Sequence, residues 1–304
     1  MKSKKKTIVP WMRFESFDVL VYVVLFIVLV FTFYPFFNSV ILSFNDGQDA
    51  AAGGIYFWPR KFTLANYEDV FANAALGRAF VVTVVRTIVG TALCLLVTSL
   101  FAFAVSKPYL RLRKLYITLS LIAMYLNGGL IPTFLVIRSV KLYNNPLVYI
   151  LPGAFNVFYA QVFIAFFRGM PETLDESAKI DGANEWTIFF RIILPLSLAS
   201  FAAVGLFVAV GHWNSWYDNM LYMKKTEYNT LSYLFVQMIN SQKALEDMMT
   251  AGTGGSMEMA RAAGKTTTSV QLATMVVTVV PIMCLYPFLQ KYFVKGVMVG
   301  SIKG

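Results

Sequence analysis

The chain contains six apolar segments that are long enough to cross a lipid bilayer as α-helices, and most of its charged residues lie between them. A helix needs about 20 consecutive, mainly apolar residues to span the hydrocarbon core. Charged residues make up only 14% of the 304 residues, whereas soluble chains average about 25%. The pattern predicts an all-α integral membrane protein and excludes an intrinsically disordered chain. The predicted spans are Val19–Ile41, Phe80–Val105, Leu115–Ile137, Pro146–Phe167, Ile192–Trp216 and Val270–Phe293.

The scarcity of cysteine and histidine excludes several classes of protein. Cys94 and Cys284 both lie in apolar segments, so a disulfide scaffold is excluded. The single histidine, His212, cannot build a His-rich metal site, and no catalytic triad is predicted around it. It is either a satisfied polar side chain near the outer end of the fifth span or a contact of a pore. The net charge of +10 is distributed between apolar runs, so nucleic-acid binding is not predicted.

The distribution of basic residues predicts the orientation of the chain. Lysines and arginines are concentrated in residues 1–18, after the second and fourth spans, and at the C-terminal end. Because short cytoplasmic loops carry an excess of these residues, both termini are predicted to be cytoplasmic. The predicted domains are a cytoplasmic segment 1–18, a six-span domain 19–293 and a cytoplasmic tail 294–304. Loops 42–79 and 217–269 then lie outside, and the 168–191 loop is cytoplasmic.

Two features of these regions allow alternative interpretations. The Gly/Ser/Thr-rich stretch 251–268 is either flexible or inserted into a partner. Arg86, inside the second predicted span, most simply extends its side chain to the outer membrane interface. The alternative is that Arg86 lines a polar cavity.

The 168–191 loop has the signals of two short helices. Pro171 favours a helix start, acidic residues follow it and Lys179 lies near the helix end, which predicts a helix over residues 171–180. Gly182 then supplies either a positive φ or room for a close backbone approach. Asn184 is predicted to cap a second helix that continues into the fifth span, with Pro195 at the membrane entry.

This loop either rests on lipid headgroups or binds another protein. A helix at the membrane interface favours Lys and Arg on its polar face, whereas this loop has five acidic and three basic residues. The composition therefore favours a protein partner. Small residues near the predicted bend would permit close contact with it; these are Ser177, Ala178, Gly182 and Ala183.

Part of the loop resembles the EAA loop of binding-protein-dependent ABC importer permeases. Glu176–Ala178 is followed after three residues by Gly182 and later by Leu194-Pro195. The form Asp181–Ala183 is similar to the carbohydrate-uptake, maltose-type branch of that family. Ser177 departs from the usual Ala, but it is small enough for the same place.

Other stretches carry the same resemblance in the same order along the chain. Trp58–Tyr67 resembles the outer-loop motif of the second permease of sugar importers. Gly128–Pro132, Gly211–Trp216 and Tyr286–Gly296 resemble the subgroup linked to uptake of larger or polysaccharide-derived oligosaccharides. The resemblance extends from about residue 17 to the C-terminus.

The resemblance implies the type I permease fold and ATP-driven import of an oligosaccharide across the bacterial cytoplasmic membrane. The implied partners are a second permease subunit, a cytoplasmic ATPase dimer and an extracytoplasmic solute-binding protein, besides the sugar and the lipid bilayer. No cofactor is expected on this chain, because ATP and Mg²⁺ would bind the ATPase. Gly264-Lys265-Thr266 is not a phosphate-binding loop, because position 259 is Met rather than the required glycine. The residues expected to couple to the ATPase are Glu176, Ser177, Ala178, Asp181, Gly182, Ala183, Leu194 and Pro195.

Polar or glycine-interrupted points on the spans are candidates for the transport path. Aromatic faces can contact the C–H surfaces of a sugar, and neutral polar side chains can bind its hydroxyl groups. Glycines 128 and 129 are expected to open the third span, and positions 156 and 159 share one helical face. The alternatives are hydrogen bonds between helices for the asparagines and an interfacial belt for the aromatics at the end of the fifth span. The candidates are Tyr125, Asn127, Gly128, Asn156, Tyr159, Trp213, Asn214 and Trp216.

Three other functions were weighed against import by an ABC permease of sugars. An ion-coupled secondary transporter needs acidic residues within its spans, and no predicted span has Asp or Glu near its middle. A membrane enzyme is disfavoured because no catalytic arrangement is present. An ABC permease for a non-sugar solute remains the main alternative.

Overall fold

The structure, a computed structural model, describes residues 16–126, 128–250 and 268–284. Within these ranges the chain is helical and contains no strand, apart from one isolated bridge between Asn45 and Phe62. The predicted all-α class is therefore confirmed. The helices are α1 (Ser16–Ser43), α2 (Gly47–Ala51), α3 (Ala65–Ala72), α4 (Ala74–Ser106), α5 (Arg113–Tyr125), α6 (Leu130–Ser139), α7 (Val157–Arg168), α8 (Glu172–Ile180), α9 (Glu185–Ile188), α10 (Leu194–Leu196), α11 (Leu198–Asn214), α12 (Tyr217–Tyr222), α13 (Leu231–Thr250) and α14 (Thr268–Cys284).

Helix α4 is the centre of the fold. It begins after Asn73, whose side-chain oxygen accepts the Ala75 N–H at 2.9 Å, and it ends just before Lys107-Pro108. Its 33 residues make it about 50 Å long at 1.5 Å per residue. Helices α7 and α11 pack along it, and the main hydrophobic cluster lies where these three helices meet the 168–191 loop.

The apolar helices of the described residues overlap the predicted spans, but most of them are shorter or bent. Among the described residues, α1 and α4 are each long and apolar enough to cross a membrane. Two further stretches reach that length only when two helices joined at a sharp bend are counted together; these are α5 with α6, and Glu185–Leu196 with α11. Helices α7 and α14 are apolar but shorter. Side chains of α1 from Phe17 to Phe33 are mostly exposed, so the described part of the chain leaves this apolar surface uncovered.

The predicted helix over Pro146–Phe167 was wrong. Pro146–Tyr149 forms a short 3₁₀-helix, residues 150–156 are irregular, and α7 begins only at Val157. The reason is local: Pro152-Gly153 disfavours a helix, and Asn156 caps α7 by accepting the Tyr159 N–H at 3.1 Å. Hydropathy does not register such an interruption, because the residues around it remain apolar.

The helix capped by Asn184 does not run straight into the fifth span. A π-helical turn, Phe189–Ile193, joins α9 to α10, and the chain then bends by 82° before α11. Ser197 is fully buried at this corner and donates both its N–H and its hydroxyl to the Ile193 carbonyl, at 3.0 and 2.6 Å. Pro195 lacks an N–H for the helical ladder, and such serine back-bonding bends helices, so the two residues together explain the corner.

Candidate functional site

The 168–191 loop folds into the predicted pair of short helices. Pro171 precedes α8, and Asp181 follows its last residue. Gly182 has φ +79°, and the Gly182 and Ala183 N–H groups bond to the carbonyls of Lys179 and Ala178 at 3.0 and 2.9 Å. This is the Schellman arrangement, in which a left-handed residue ends a helix. Gly182 therefore has the positive φ that was one of its two predicted roles.

Ion pairs attach one face of α8 to the end of α4. Lys107, directly after α4, pairs with Asp175 of α8, and its ammonium group lies 4.3 Å from the centre of the Phe103 ring. Both side chains of the pair are largely buried. Ala178 is buried in the same interface and belongs to the main hydrophobic cluster. Helix α8 is thus connected to α4 by charge and by apolar packing.

Lys179 joins the two helices of the loop. Its ammonium group lies 3.4 Å from the Asp175 carboxylate and 3.1 Å from that of Glu185, and it donates a hydrogen bond to the Tyr109 hydroxyl at 2.9 Å. Tyr109 in turn donates to Glu185 at 2.7 Å. The hydrogen bond to Tyr109, followed by the contacts with the carboxylates, raises the pKa of Lys179. The group is therefore charged throughout the physiological range.

The opposite face of the loop is open. Glu176, Ser177, Asp181 and Gly182 are exposed, and a methyl group added at Gly182 would meet no atom of the described chain within 4 Å. Ile180 is 85% exposed and Trp186 is 62% exposed, which is unusual for large apolar side chains at a helix corner. Of the remaining predicted coupling residues, Ala183 and Leu194 are half-buried and Pro195 is exposed. This face has the composition of a protein-binding surface.

A second candidate site is a cavity of about 360 Å³ that lies against the part of α4 around Arg86 and Cys94. Its walls come from α4, α6, α7, α11, α12 and the segment 146–156, which contains the 3₁₀-helix and the irregular residues after it. Irregular backbone within a membrane protein is tolerated where it is buried in protein or lines a cavity. Two of the predicted path residues, Asn156 and Tyr159, line this cavity.

The other predicted path residues lie elsewhere. Trp213 is only 5% exposed and donates its indole N–H to the Thr278 carbonyl at 2.9 Å, so it packs between helices rather than lining the cavity. Tyr125 and Gly128 lie at the break between α5 and α6, where Tyr125 is exposed. Trp216 contacts Tyr217 edge to face beyond α11, next to the exposed Asn214. Asn127 lies outside the described residues.

Arg86 is buried, as expected if it lines a polar cavity, which was the alternative to its extension toward the membrane interface. It is 4% exposed and lines the cavity, where its two terminal nitrogens contact the two carboxylate oxygens of Asp218. It also donates to the Ser215 carbonyl at 3.3 Å and lies 4.7 Å from the centre of the Tyr149 ring. A buried charge requires such a partner. The burial of Arg86 and its contact with Asp218 therefore agree with the interpretation that Arg86 lines a polar cavity.

His212 lines the same cavity, between two glycines. A methyl group at Gly90 of α4 would lie 2.6 Å from its Nε2, and one at Gly153 would lie 3.5 Å from its Cε1. Only a residue without Cβ fits at Gly90 while the imidazole occupies this place. The close approach of α4 to α11 therefore fixes the ring at the cavity wall.

Sequence reasoning missed Asp218, Tyr149 and Tyr222 as cavity residues. Asp218 was assigned to an outer loop, although an arginine within an apolar span requires a carboxylate partner. This need of Arg86 for an acidic partner was the signal in the sequence that could have indicated a contact with an acidic residue. Sequence alone did not indicate which acidic residue satisfies it, because the two are 132 positions apart.

The comparisons with known proteins identify the family and the fold. Residues 95–216, which include the 168–191 loop and much of the cavity wall, match the family described as "Binding-protein-dependent transport system inner membrane component". The chain is similar in fold to a crystal structure of a bacterial ABC transporter involved in the import of the acidic polysaccharide alginate. The TM-score is 0.81 at 24% identity, over 93% of this chain and 100% of that chain.

Two relatives from Bacillus subtilis (strain 168) align along nearly their whole length. The polygalacturonan/rhamnogalacturonan transport system permease protein YtcP is 33% identical over 96% of this chain and 100% of its own length. Protein LplC is 36% identical over 90% of each chain. The resemblance carried by the sequence motifs is thereby confirmed. The chain belongs to the binding-protein-dependent inner membrane components, the permease subunits of ABC importers, which are not themselves enzymes.

Proposed function

We propose that this chain is one of two permease subunits of a bacterial importer that takes an oligosaccharide from an extracytoplasmic binding protein. The substrate class is supported by the name of the relative YtcP, a transport permease for polygalacturonan and rhamnogalacturonan. The chain would lie in the cytoplasmic membrane with six spans and both termini in the cytoplasm. ATP and Mg²⁺ would bind a separate ATPase dimer.

The proposal depends most on the two unlike faces of the 168–191 loop. One face is attached to α4 through Lys107 and Asp175, and the other presents Glu176, Ile180 and Trp186 to the surroundings. A loop that is fixed to the spans on one side and open on the other can transmit movement of a bound partner to the spans. We assign the open face to the ATPase.

In the proposed mechanism, ATP closes the ATPase dimer and the 168–191 loop follows it, so that the spans rotate and the path opens outward. Glu176 would hold the loop in the ATPase groove by charge-assisted hydrogen bonds, and Gly182 would permit close contact. Asn156 and Tyr159 are proposed for the sugar path because they line the 360 Å³ cavity. Tyr125, Gly128, Asn214 and Trp216 remain candidates where the partner permease adjoins the chain.

The test is ATP hydrolysis and sugar uptake by liposomes that contain this chain, its partner permease and the ATPase. Hydrolysis should increase only when the binding protein is loaded with a suitable member of an oligosaccharide panel. Glu176→Lys and Gly182→Trp should abolish uptake while the binding protein still captures sugar. Glu68→Lys, the same charge reversal on an exposed part of α3, should leave uptake unchanged. Normal uptake by the two loop variants would refute the coupling role, and uptake driven by an ion gradient without the ATPase would refute the importer.

A further inference from the structure

Another cavity, of about 410 Å³, lies against the 168–191 loop, and we call it the α8 pocket. Its walls are the end of α4 with the turn that follows, the first residue of α5, the end of α7 and one side of α8. Phe103, Phe167 and Ile193 supply apolar surface, and four cations and three carboxylates also line it. In the proposed topology, three apolar helices reach the cytoplasmic surface here. The α8 pocket then lies at the level of the lipid headgroups.

Most charges of the α8 pocket are either paired or exposed. Lys107 and Lys179 both contact the carboxylate of Asp175. Glu172 and Glu176 lie at exposed positions of α8, so their carboxylates are open to the surroundings. None of these groups therefore requires a further partner.

Arg113 and Arg168 differ from the other charged residues of the pocket. Neither guanidinium makes an ion pair or a hydrogen bond within the described ranges of the chain, and the Arg113 Nε is buried without an acceptor. Partial burial lowers the pKa of Arg168, and repulsion by Arg113 lowers it further. Two neighbouring cations that lack an acceptor are expected to bind an anion, because an unpaired buried donor is costly.

The surroundings favour a phospholipid over a small soluble anion. Tyr116, Leu119 and Ile122 follow Arg113 along α5 at steps of three residues, and they are 44%, 54% and 48% exposed. Residues three apart are neighbours on a helix, so these side chains form an apolar ridge that begins at the pocket. Acyl chains can lie along this ridge while the headgroup enters the pocket. The excess of one cation among the lining charges matches the single negative charge of a phosphodiester.

We propose that Arg113 and Arg168 bind the phosphodiester of an anionic phospholipid from the cytoplasmic leaflet, and that this lipid strengthens the attachment of the 168–191 loop to the spans. The inference rests on the proposed function, which places the loop at the cytoplasmic surface. Basic pockets between membrane helices are suited to anionic headgroups on that side. Because α8 forms one wall and the ends of α4 and α7 form others, a bound headgroup would contact both the loop and the spans.

The first test is native mass spectrometry of the complete importer complex, delipidated and then titrated with phosphatidylglycerol. Arg113→Gln and Arg168→Gln should each weaken binding about tenfold, because each removes a charge-assisted hydrogen bond. Arg113→Lys should retain part of the affinity, since it keeps the charge but loses the planar set of donors. Arg111→Gln, which removes an exposed arginine that does not line the pocket, should leave binding unchanged.

Competition distinguishes the possible sources of the phosphate group. Inorganic phosphate has no acyl chains, and phosphatidylcholine has no net charge. Each should displace phosphatidylglycerol from the wild-type complex at least about tenfold less effectively than phosphatidylglycerol itself. Equal displacement by inorganic phosphate would overturn the lipid as the ligand, and equal displacement by phosphatidylcholine would overturn the argument from charge.

The second test measures hydrogen exchange of residues 172–180 in nanodiscs. Exchange in the wild type should be slower with phosphatidylglycerol than with phosphatidylcholine alone. This difference should disappear in Arg113→Gln/Arg168→Gln and remain in Arg111→Gln. The same difference in all three proteins would refute the role of the lipid in attaching the loop.

The outcomes separate this inference from the proposed function. Unchanged binding of phosphatidylglycerol by Arg113→Gln and Arg168→Gln would overturn the lipid site alone. Arg168 is exposed, so Arg168→Gln decides if the Arg113 variant does not assemble. Loss of the ATPase from Arg168→Gln with unchanged lipid binding would also overturn the lipid site and would assign Arg168 to the ATPase. Absence of stimulation of the wild-type ATPase by every loaded binding protein would instead overturn the proposed function.

Discussion

Gly90→Ala tests whether α4 and α11 approach as closely as the structure shows. The added methyl group would lie 2.6 Å from the His212 Nε2 and 2.7 Å from its Cε1, well inside normal contact distance. The contacted atoms form the outer end of the His212 ring, so the ring must turn away to admit the methyl group. Overpacking of this kind costs about 1–3 kcal/mol. We therefore expect Gly90→Ala to destabilise the protein.

Gly77→Ala is the matched control, because Gly77 lies in the same helix and no atom lies within 4 Å of its added methyl group. There, removal of backbone freedom from the unfolded chain should stabilise the protein by about 0.4–1 kcal/mol. Because the same gain applies at Gly90, the two variants should differ by the overpacking cost alone, about 1–3 kcal/mol. For a domain of 150–250 residues, each 1 kcal/mol shifts the melting temperature by about 2–4 °C.

The assay is thermal unfolding of the purified complex in nanodiscs, at one scan rate because membrane complexes often unfold irreversibly. Gly90→Ala should melt about 2–12 °C below Gly77→Ala. In a His212→Ala background, the Gly90→Ala change should lose most of its effect, because the clashing ring is absent. Equal melting temperatures for the two single variants, or a full effect of Gly90→Ala without the ring, would refute the reasoning.

Two further predictions concern the attachment of the loop and the start of α7. Lys107→Ala removes one of the two cations that contact the largely buried Asp175 and should cost about 1–3 kcal/mol, measured as faster hydrogen exchange in residues 172–180. Lys114→Ala removes an exposed lysine with no ion pair among the described residues, so it should not change the rate of hydrogen exchange. Equal exchange rates in the Lys107→Ala and Lys114→Ala variants would contradict the role of the Lys107–Asp175 pair. Asn156→Ala removes the cap of α7 and should lower stability by about 1 kcal/mol, whereas Asn156→Ser should largely retain it. If Asn156→Ala has the same melting temperature as the wild type, the cap contributes nothing to stability.

The features that could be predicted from sequence depend on short-range signals. The ends of α8, the positive φ of Gly182 and the cap at Asn184 were predictable, because a helix start, a helix stop and a cap each involve residues within one turn. The approximate positions of the spans followed from hydropathy for the same reason. Family membership followed from several local motifs in a fixed order.

The features that sequence did not predict depend on contacts between distant residues. Pairing of Arg86 with Asp218 and of Trp213 with Thr278 arises only when α4, α11, α12 and α14 are assembled. The interruption of the fourth predicted span follows from Pro152-Gly153, but an apolar segment that folds around a cavity has the same hydropathy as one that spans the bilayer. The partner of a buried polar residue is therefore determined by the tertiary structure, even where the sequence shows that the residue needs a partner.

The corner at Ser197 determines what kind of motion the 168–191 loop can impose on α11. Because the helical segment before the corner lies at 82° to α11, a push along that segment moves the base of α11 sideways and not along its own axis. The 17 residues of α11 make it about 25 Å long at 1.5 Å per residue. A sideways displacement of about 3 Å at the base, with the far end held, tilts a rod of this length by about 7°. The right-angled corner would thus convert a small translation along that segment into a change of helix inclination.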